Sequence, residues 1–152
     1  MEKKIKKPLL GEQLGTLQSA AAVLRESYKK VEVILKKNTK SLSVEERESC
    51  EALTARFSRL CDFIFQKSFR TLDQVELQDE GTAIDRLNRM EKRGVIPSAL
   101  RWRELRELRN EIAHEYLIEA SDLVLSQAFQ ATPELLDAVT KYQAYLKEKK
   151  YI

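Results

Sequence analysis

Glycine and proline are scarce in this chain, four and three of 152 residues, which favours long helices over a sheet with many turns. No stretch approaches the roughly eighteen uncharged apolar residues that a membrane-spanning helix needs, and the N-terminus carries no signal-type apolar run. Cysteine is limited to Cys50 and Cys61, eleven residues apart. At about 100° per residue they fall on nearly the same helix face as Leu53, Phe57 and Ile64, so they read as core thiols. Three turns of a straight helix hold two sulfurs too far apart for a disulfide, and the sequence has no Cys/His cluster of metal-ligand spacing. A reducing cytoplasm is the expected location, with no metal and no cofactor. The net charge of +3 is modest and by itself implies no partner.

What the chain does have is helix formers. Leu, Glu, Lys, Arg and Ala dominate, and 34% of the residues are charged. The length suits a single domain, 1–152, with room for a hydrophobic core of its own. Internal repeats and low-complexity linkers are not evident.

After a basic tail, Met1 to Lys7, the positions Leu14, Leu17, Ala21, Leu24, Tyr28, Val31 and Leu35 alternate spacings of three and four, the stripe of a long packed helix. Ser43 with Glu46 matches a capping box that opens a second helix, carrying Leu53, Phe57, Leu60, Ile64 and Phe69. Periodicity is lost from Arg70 to Glu80. A third helix from about Thr82 buries Ile84, Leu87 and Met90 before Gly94 and Pro97 stop it. Ser98 caps a fourth, Ala99 to about Leu117. The chain reads as helical again beyond Ser121-Asp122, with Thr132-Pro133-Glu134 restarting a last segment through Leu135, Val139, Tyr142 and Leu146. The expected fold is all-α, an antiparallel four- to five-helix up-and-down bundle.

The fourth helix, viewed as a wheel, has three faces. Leu105, Leu108, Ile112 and Tyr116, with Trp102 at the edge, face the core; Glu104, Glu107, Glu111 and Glu115 form a solvated acidic stripe. The remaining arc holds Arg103, Arg106, Arg109, Asn110, Ala113, His114 and Leu117, too polar for a core and too apolar for plain solvent. Arginines crowd this helix and the one before it, at Arg86, Arg89, Arg93, Arg101, Arg103, Arg106 and Arg109. Such clustering suits a polyanion, and scattered surface arginines explain it as well. Arg86, Arg89, Arg103 and Arg106 are the candidate contacts for such a polyanion.

His114 is the single histidine, a residue type suited to proton transfer near neutrality, although a lone helical histidine is more often structural. Its neighbourhood raises the interest. The planar fork of Arg109 suits a phosphoryl oxygen, Asn110 stands one turn before His114, and Tyr116 adds a hydroxyl.

At Arg109-Asn110-Glu111-Ile112-Ala113-His114 the sequence resembles the HEPN superfamily, whose ribonucleases carry Arg, a polar residue, three variable residues and His on a late major helix. Glu115-Tyr116 extends this to the Arg-x4-His-x-Tyr form of HepT-like toxins, small bundles encoded beside a minimal nucleotidyltransferase antitoxin, and the upstream Trp102 to Leu108 run agrees. The resemblance implies metal-independent RNA cleavage in which the ribose 2′-hydroxyl attacks phosphorus and leaves a 2′,3′-cyclic phosphate, with Arg109, Asn110 and His114 catalytic. It also implies that the antitoxin silences the nuclease by transferring AMP to Tyr116, although the wheel puts Tyr116 at the core edge.

On a continuous helix Arg109 and His114 diverge by about 140°, which argues for a two-fold homodimer whose paired motifs line one cleft. A dimer also supplies two histidines, one as base and one as acid. Two other readings stand beside the toxin: a non-catalytic subunit that presents a substrate or nucleotide to a nucleotidyltransferase, and a helical scaffold without a site.

Overall fold

The computed structural model describes residues 2–37, 41–114 and 118–152. Its helices are α1 (Glu2–Lys36), α2 (Val44–Phe63), α3 (Phe69–Val75), α4 (Ala83–Lys92), α5 (Ala99–Ala113) and α6 (Ile118–Glu148), and a π-helical turn, Ile64–Ser68, joins α2 directly to α3. No strand occurs among the described residues, in agreement with the all-α expectation.

Helix directions follow from contacts between side chains. Lys37 Nζ lies 3.4 Å from Glu46 at one end of the α1–α2 pair, and Arg56 donates to the Val23 carbonyl and the Ser27 hydroxyl further along, so these helices are antiparallel. α5 runs antiparallel to α2: Arg109 meets Asp62, while the Trp102 ring packs on Phe65 and Phe69. α6 opposes both α5, through Arg101 and Glu134, and α1, where Tyr28 stacks on Phe129 and Lys7 lies over the Tyr151 ring. The result is an up-down-up-down bundle in which short α4 packs on α3 and α5. Its interior is closed by Trp102, Tyr142, Phe57 and Phe69, all under 2% exposed. Cys50 and Cys61 are buried in it as free thiols.

Local chemistry sets the starts. At the α2 start the Glu46 N–H donates to the Ser43 hydroxyl at 3.1 Å and the Ser43 N–H to the Glu46 carboxylate at 3.0 Å, the expected capping box. Thr82 and Asp85 form a second at α4, and Ser98 accepts from the Arg101 N–H at α5. α4 ends at Gly94, whose φ of +76° is the left-handed conformation that glycine adopts without a Cβ clash.

Four expectations need correction. The basic tail is helical from Glu2, and the helix runs through Pro8, which lies beyond the first turn and lacks the N–H for one i→i−4 bond. The second helical run does not end at Phe69. The Phe69 N–H donates to the Ile64 carbonyl, the five-residue spacing of a π turn, and the helix continues to Val75. Periodicity fades there because Phe69, Thr71, Leu72, Asp73 and Val75 are all buried, leaving no broad solvent face to read. α6 is not restarted at Pro133. The Thr132 hydroxyl donates backwards to the Ala128 carbonyl at 2.7 Å instead of capping, and burial of Ala131, Thr132 and Leu135 holds the helix across the missing backbone bond. α5 ends at Ala113, short of Leu117; the backbone N–H of His114 donates to the Glu111 carbonyl.

Candidate active site

The C-terminal half of α5, the π turn, the start of α3 and α4 enclose a groove of about 560 Å³. It is lined by Arg106, Arg109, Asn110, Ala113 and His114 from the α5 end, by Asp62, Phe65, Gln66, Lys67 and Arg70 from α2, the π turn and α3, and by Ala83, Arg86 and Leu87 from α4. Arg109, Asn110 and His114, which diverge on an ideal wheel, thus border one space. His114 stands just past the last turn of α5, at φ −108°, so it leaves the regular helical path. Asn110 and His114 are exposed, whereas Arg109 is 27% exposed at its side chain.

Arg109 is held from α2. Its Nε donates to Asp62 Oδ1 at 2.6 Å and its Nη2 to Asp62 Oδ2 at 2.8 Å, a bidentate pair that raises the guanidinium pKa above its ordinary value. Among the described residues Asp62 is the single carboxylate lining the groove, against the cations Lys67, Arg70, Arg86, Arg106 and Arg109. Lys67, Arg70 and Arg106 have no ion-pair partner among the described residues, so the groove carries a net positive potential suited to a phosphodiester.

The other expected arginines are placed differently. Arg86, Arg89 and Arg93 converge on Asp73, itself 0% exposed, at 3.2, 2.8 and 2.6 Å. Arg86 also reaches Asp79, and Arg93 reaches Glu76 at 2.6 Å. These guanidiniums join α4 to α3, and of the three only Arg86 borders the groove. Arg103 is exposed, 3.9 Å from Glu107, and is not part of the lining. Tyr116 lies outside the described residues, as does Glu115 of the acidic stripe. No group of three or more His, Cys, Asp or Glu among the described residues is placed to hold a metal.

Asp62, Lys67, Arg70 and the π turn, which carries three of the groove's side chains, are not among the residues that sequence reasoning singles out. π turns are single-residue insertions often found at functional sites, and nothing in residue type announces this one. A charged pair on α2 and α5, 47 residues apart, is equally invisible to spacing.

The profile of the family described as ribonuclease HepT-like matches residues 24–142. The chain belongs to the HepT-like ribonuclease family. This is a HEPN-type domain, and the match takes in every residue of the groove. No curated protein and no solved structure gives a match. In this HepT-like chain the Arg-x4-His motif borders the same groove as Lys67, Arg70 and Arg106. No helix among the described residues is long and apolar enough to cross a membrane.

Proposed function

We propose that the chain is a metal-independent endoribonuclease, the toxin of a toxin-antitoxin pair, acting as a homodimer in the cytoplasm and silenced by a nucleotidyltransferase antitoxin that transfers AMP to Tyr116. The observation that carries this reading is the shared groove: Arg109, Asn110 and His114 border it together with Lys67, Arg70 and Arg106.

The chemistry follows from those side chains. The scissile phosphate lies against the guanidinium of Arg109, which compensates the charge that grows on the non-bridging oxygens. The imidazole of His114 takes the proton of the ribose 2′-hydroxyl as the 2′-oxygen bonds to phosphorus. The P–O5′ bond breaks, and the leaving oxygen takes a proton from His114 of the second copy, leaving a 2′,3′-cyclic phosphate and a 5′-hydroxyl. The nucleophile comes from the RNA itself, so no bound metal is required. Asn110, exposed beside His114, orients the imidazole or the ribose. RNA is held along Lys67, Arg70 and Arg106 by salt-sensitive phosphate contacts.

Sedimentation combined with a cleavage assay tests this. A dimer that cuts RNA without added divalent metal, and that loses cutting in Arg109→Ala, is the expected result. A concentration-independent monomer, or an Arg109→Ala protein with the wild-type rate, would overturn it.

A further inference from the structure

We infer that Asp62 is a positioning residue for RNA cleavage, holding Arg109 by one edge of its guanidinium so that a second edge is presented ready-made to the scissile phosphate. This rests on the reading of the groove as a ribonuclease site. A guanidinium carries five N–H groups in one plane. Asp62 takes the Nε–H at 2.6 Å and one Nη2–H at 2.8 Å, which is the side-on approach. Three N–H groups remain, two on Nη1 and one on Nη2. The two that point away along the side-chain axis, one from each terminal nitrogen, form another fork matching two phosphate oxygens.

Stability accounts for only part of the pair. The side chains of Arg109 and Asp62 are 27% and 36% exposed, so water screens the two charges even though the bidentate geometry is favourable. Orientation accounts for the rest. A free arginine samples many rotamers and must give up that freedom on meeting the phosphate; one already clamped has lost it beforehand. The clamp is itself anchored, because Cys61, next to Asp62 in the chain, is fully buried in the core and the π turn begins two residues later. Asp62 also explains why a groove rich in cations keeps a carboxylate, which by charge alone works against binding a polyanion.

A competing role for the same contact is a latch, with the carboxylate occupying the phosphate's place until RNA displaces it. The two roles make opposite predictions for Asp62→Ala. Positioning predicts that kcat falls by about 10- to 100-fold, as expected when a reacting group is misplaced by about 1 Å. Affinity for a non-cleavable 2′-O-methyl RNA of the same sequence is then unchanged or tighter, because a negative charge has left the groove. Asp62→Asn, which retains one carbonyl acceptor, falls between, and the melting temperatures of both variants stay close to that of the wild type. The Arg109 Nε–H resonance, sheltered from exchange in the wild type, exchanges rapidly in Asp62→Ala.

A kcat that is unchanged or raised in both variants would overturn the inference, the raised value being the signature of a latch. Arg109→Ala, assayed in parallel, separates this from failure of the ribonuclease reading. If it cleaves like the wild type, or if the wild type cleaves nothing, the proposed function falls and the inference falls with it. If Arg109→Ala is dead while Asp62→Ala is fully active, only the inference falls.

Discussion

The two arginine groups of this molecule, one at Asp73 and one along the groove, contain the same residue type in opposite settings. At Asp73 three guanidiniums surround a carboxylate with no exposure to water, and Arg93 is itself only 7% exposed at its side chain. Along the groove Arg70 and Arg106 are exposed and, among the described residues, unpaired. The difference lies in where the carboxylates fall. A carboxylate buried between α3 and α4 turns neighbouring arginines into a joint, whereas cations with no such partner remain available to phosphate. Arginine density alone therefore identifies neither role.

The comparison is broken most severely at Asp73. Asp73→Ala takes the buried carboxylate from Arg86, Arg89 and Arg93, and because Arg93 keeps Glu76 at 2.6 Å the cost should be about 2–3 kcal/mol, below that of a fully stranded buried charge. Denaturant unfolding should show a destabilisation of that order. A variant as stable as the wild type would mean that the cluster is not a joint.

Next in size is charge reversal in the groove. Arg70→Glu with Arg106→Glu should weaken RNA binding about tenfold or more at low salt and reduce the slope of log K against log salt by about 0.7 for each phosphate that is no longer neutralised. Stability should be unchanged, since neither residue supports the core. Arg103→Glu is the control and should bind RNA nearly as the wild type does. Equal weakening in the two variants would make the groove no different from the rest of the surface.

A smaller effect is expected where α6 meets the π turn. The Tyr142 hydroxyl donates to the Ser68 carbonyl at 3.0 Å in a fully buried setting, and Tyr142→Phe should cost about 1 kcal/mol in thermal or chemical unfolding. An unchanged stability would show that the turn does not need this tie.

The smallest effect is one of pH. Asp85 is held below its ordinary value of 3.8, first by the Thr82 backbone N–H and then by the Thr82 hydroxyl. Its cap therefore stabilises α4 above the unfolded pKa, and that contribution is lost as pH falls through and below 3.8. Asp85→Asn should flatten the acid limb of the stability curve slightly.

Helix starts were legible in the sequence because a cap is a local event: Ser43 with Glu46, Thr82 and Ser98 each act on backbone within three residues. The core face of α5 was legible for a similar reason, since Trp102, Leu105 and Leu108 follow helical periodicity and are buried. Leu72 and Val75 were not, because a helix buried on most sides has no alternation to detect. Thr132-Pro133 has the residue types of a helix start, and only the surrounding core decides that the helix runs through it. Within the candidate site, Arg109, Asn110 and His114 were singled out by motif, and they line one groove. Asp62, Lys67 and Arg70 come from another helical run, brought to α5 by packing that no spacing rule records.

If the groove of Arg109 and His114 cuts RNA by in-line attack of the 2′-hydroxyl, the ends of the products record it. The most direct test is to incubate wild-type and His114→Ala protein with end-labelled RNA in the presence of a metal chelator and to identify those ends by mass spectrometry. The expected products are 2′,3′-cyclic phosphate and 5′-hydroxyl ends from the wild type, with RNA left intact by a folded His114→Ala variant. Cleavage by His114→Ala at the wild-type rate, or products ending in a 5′-phosphate, would contradict it.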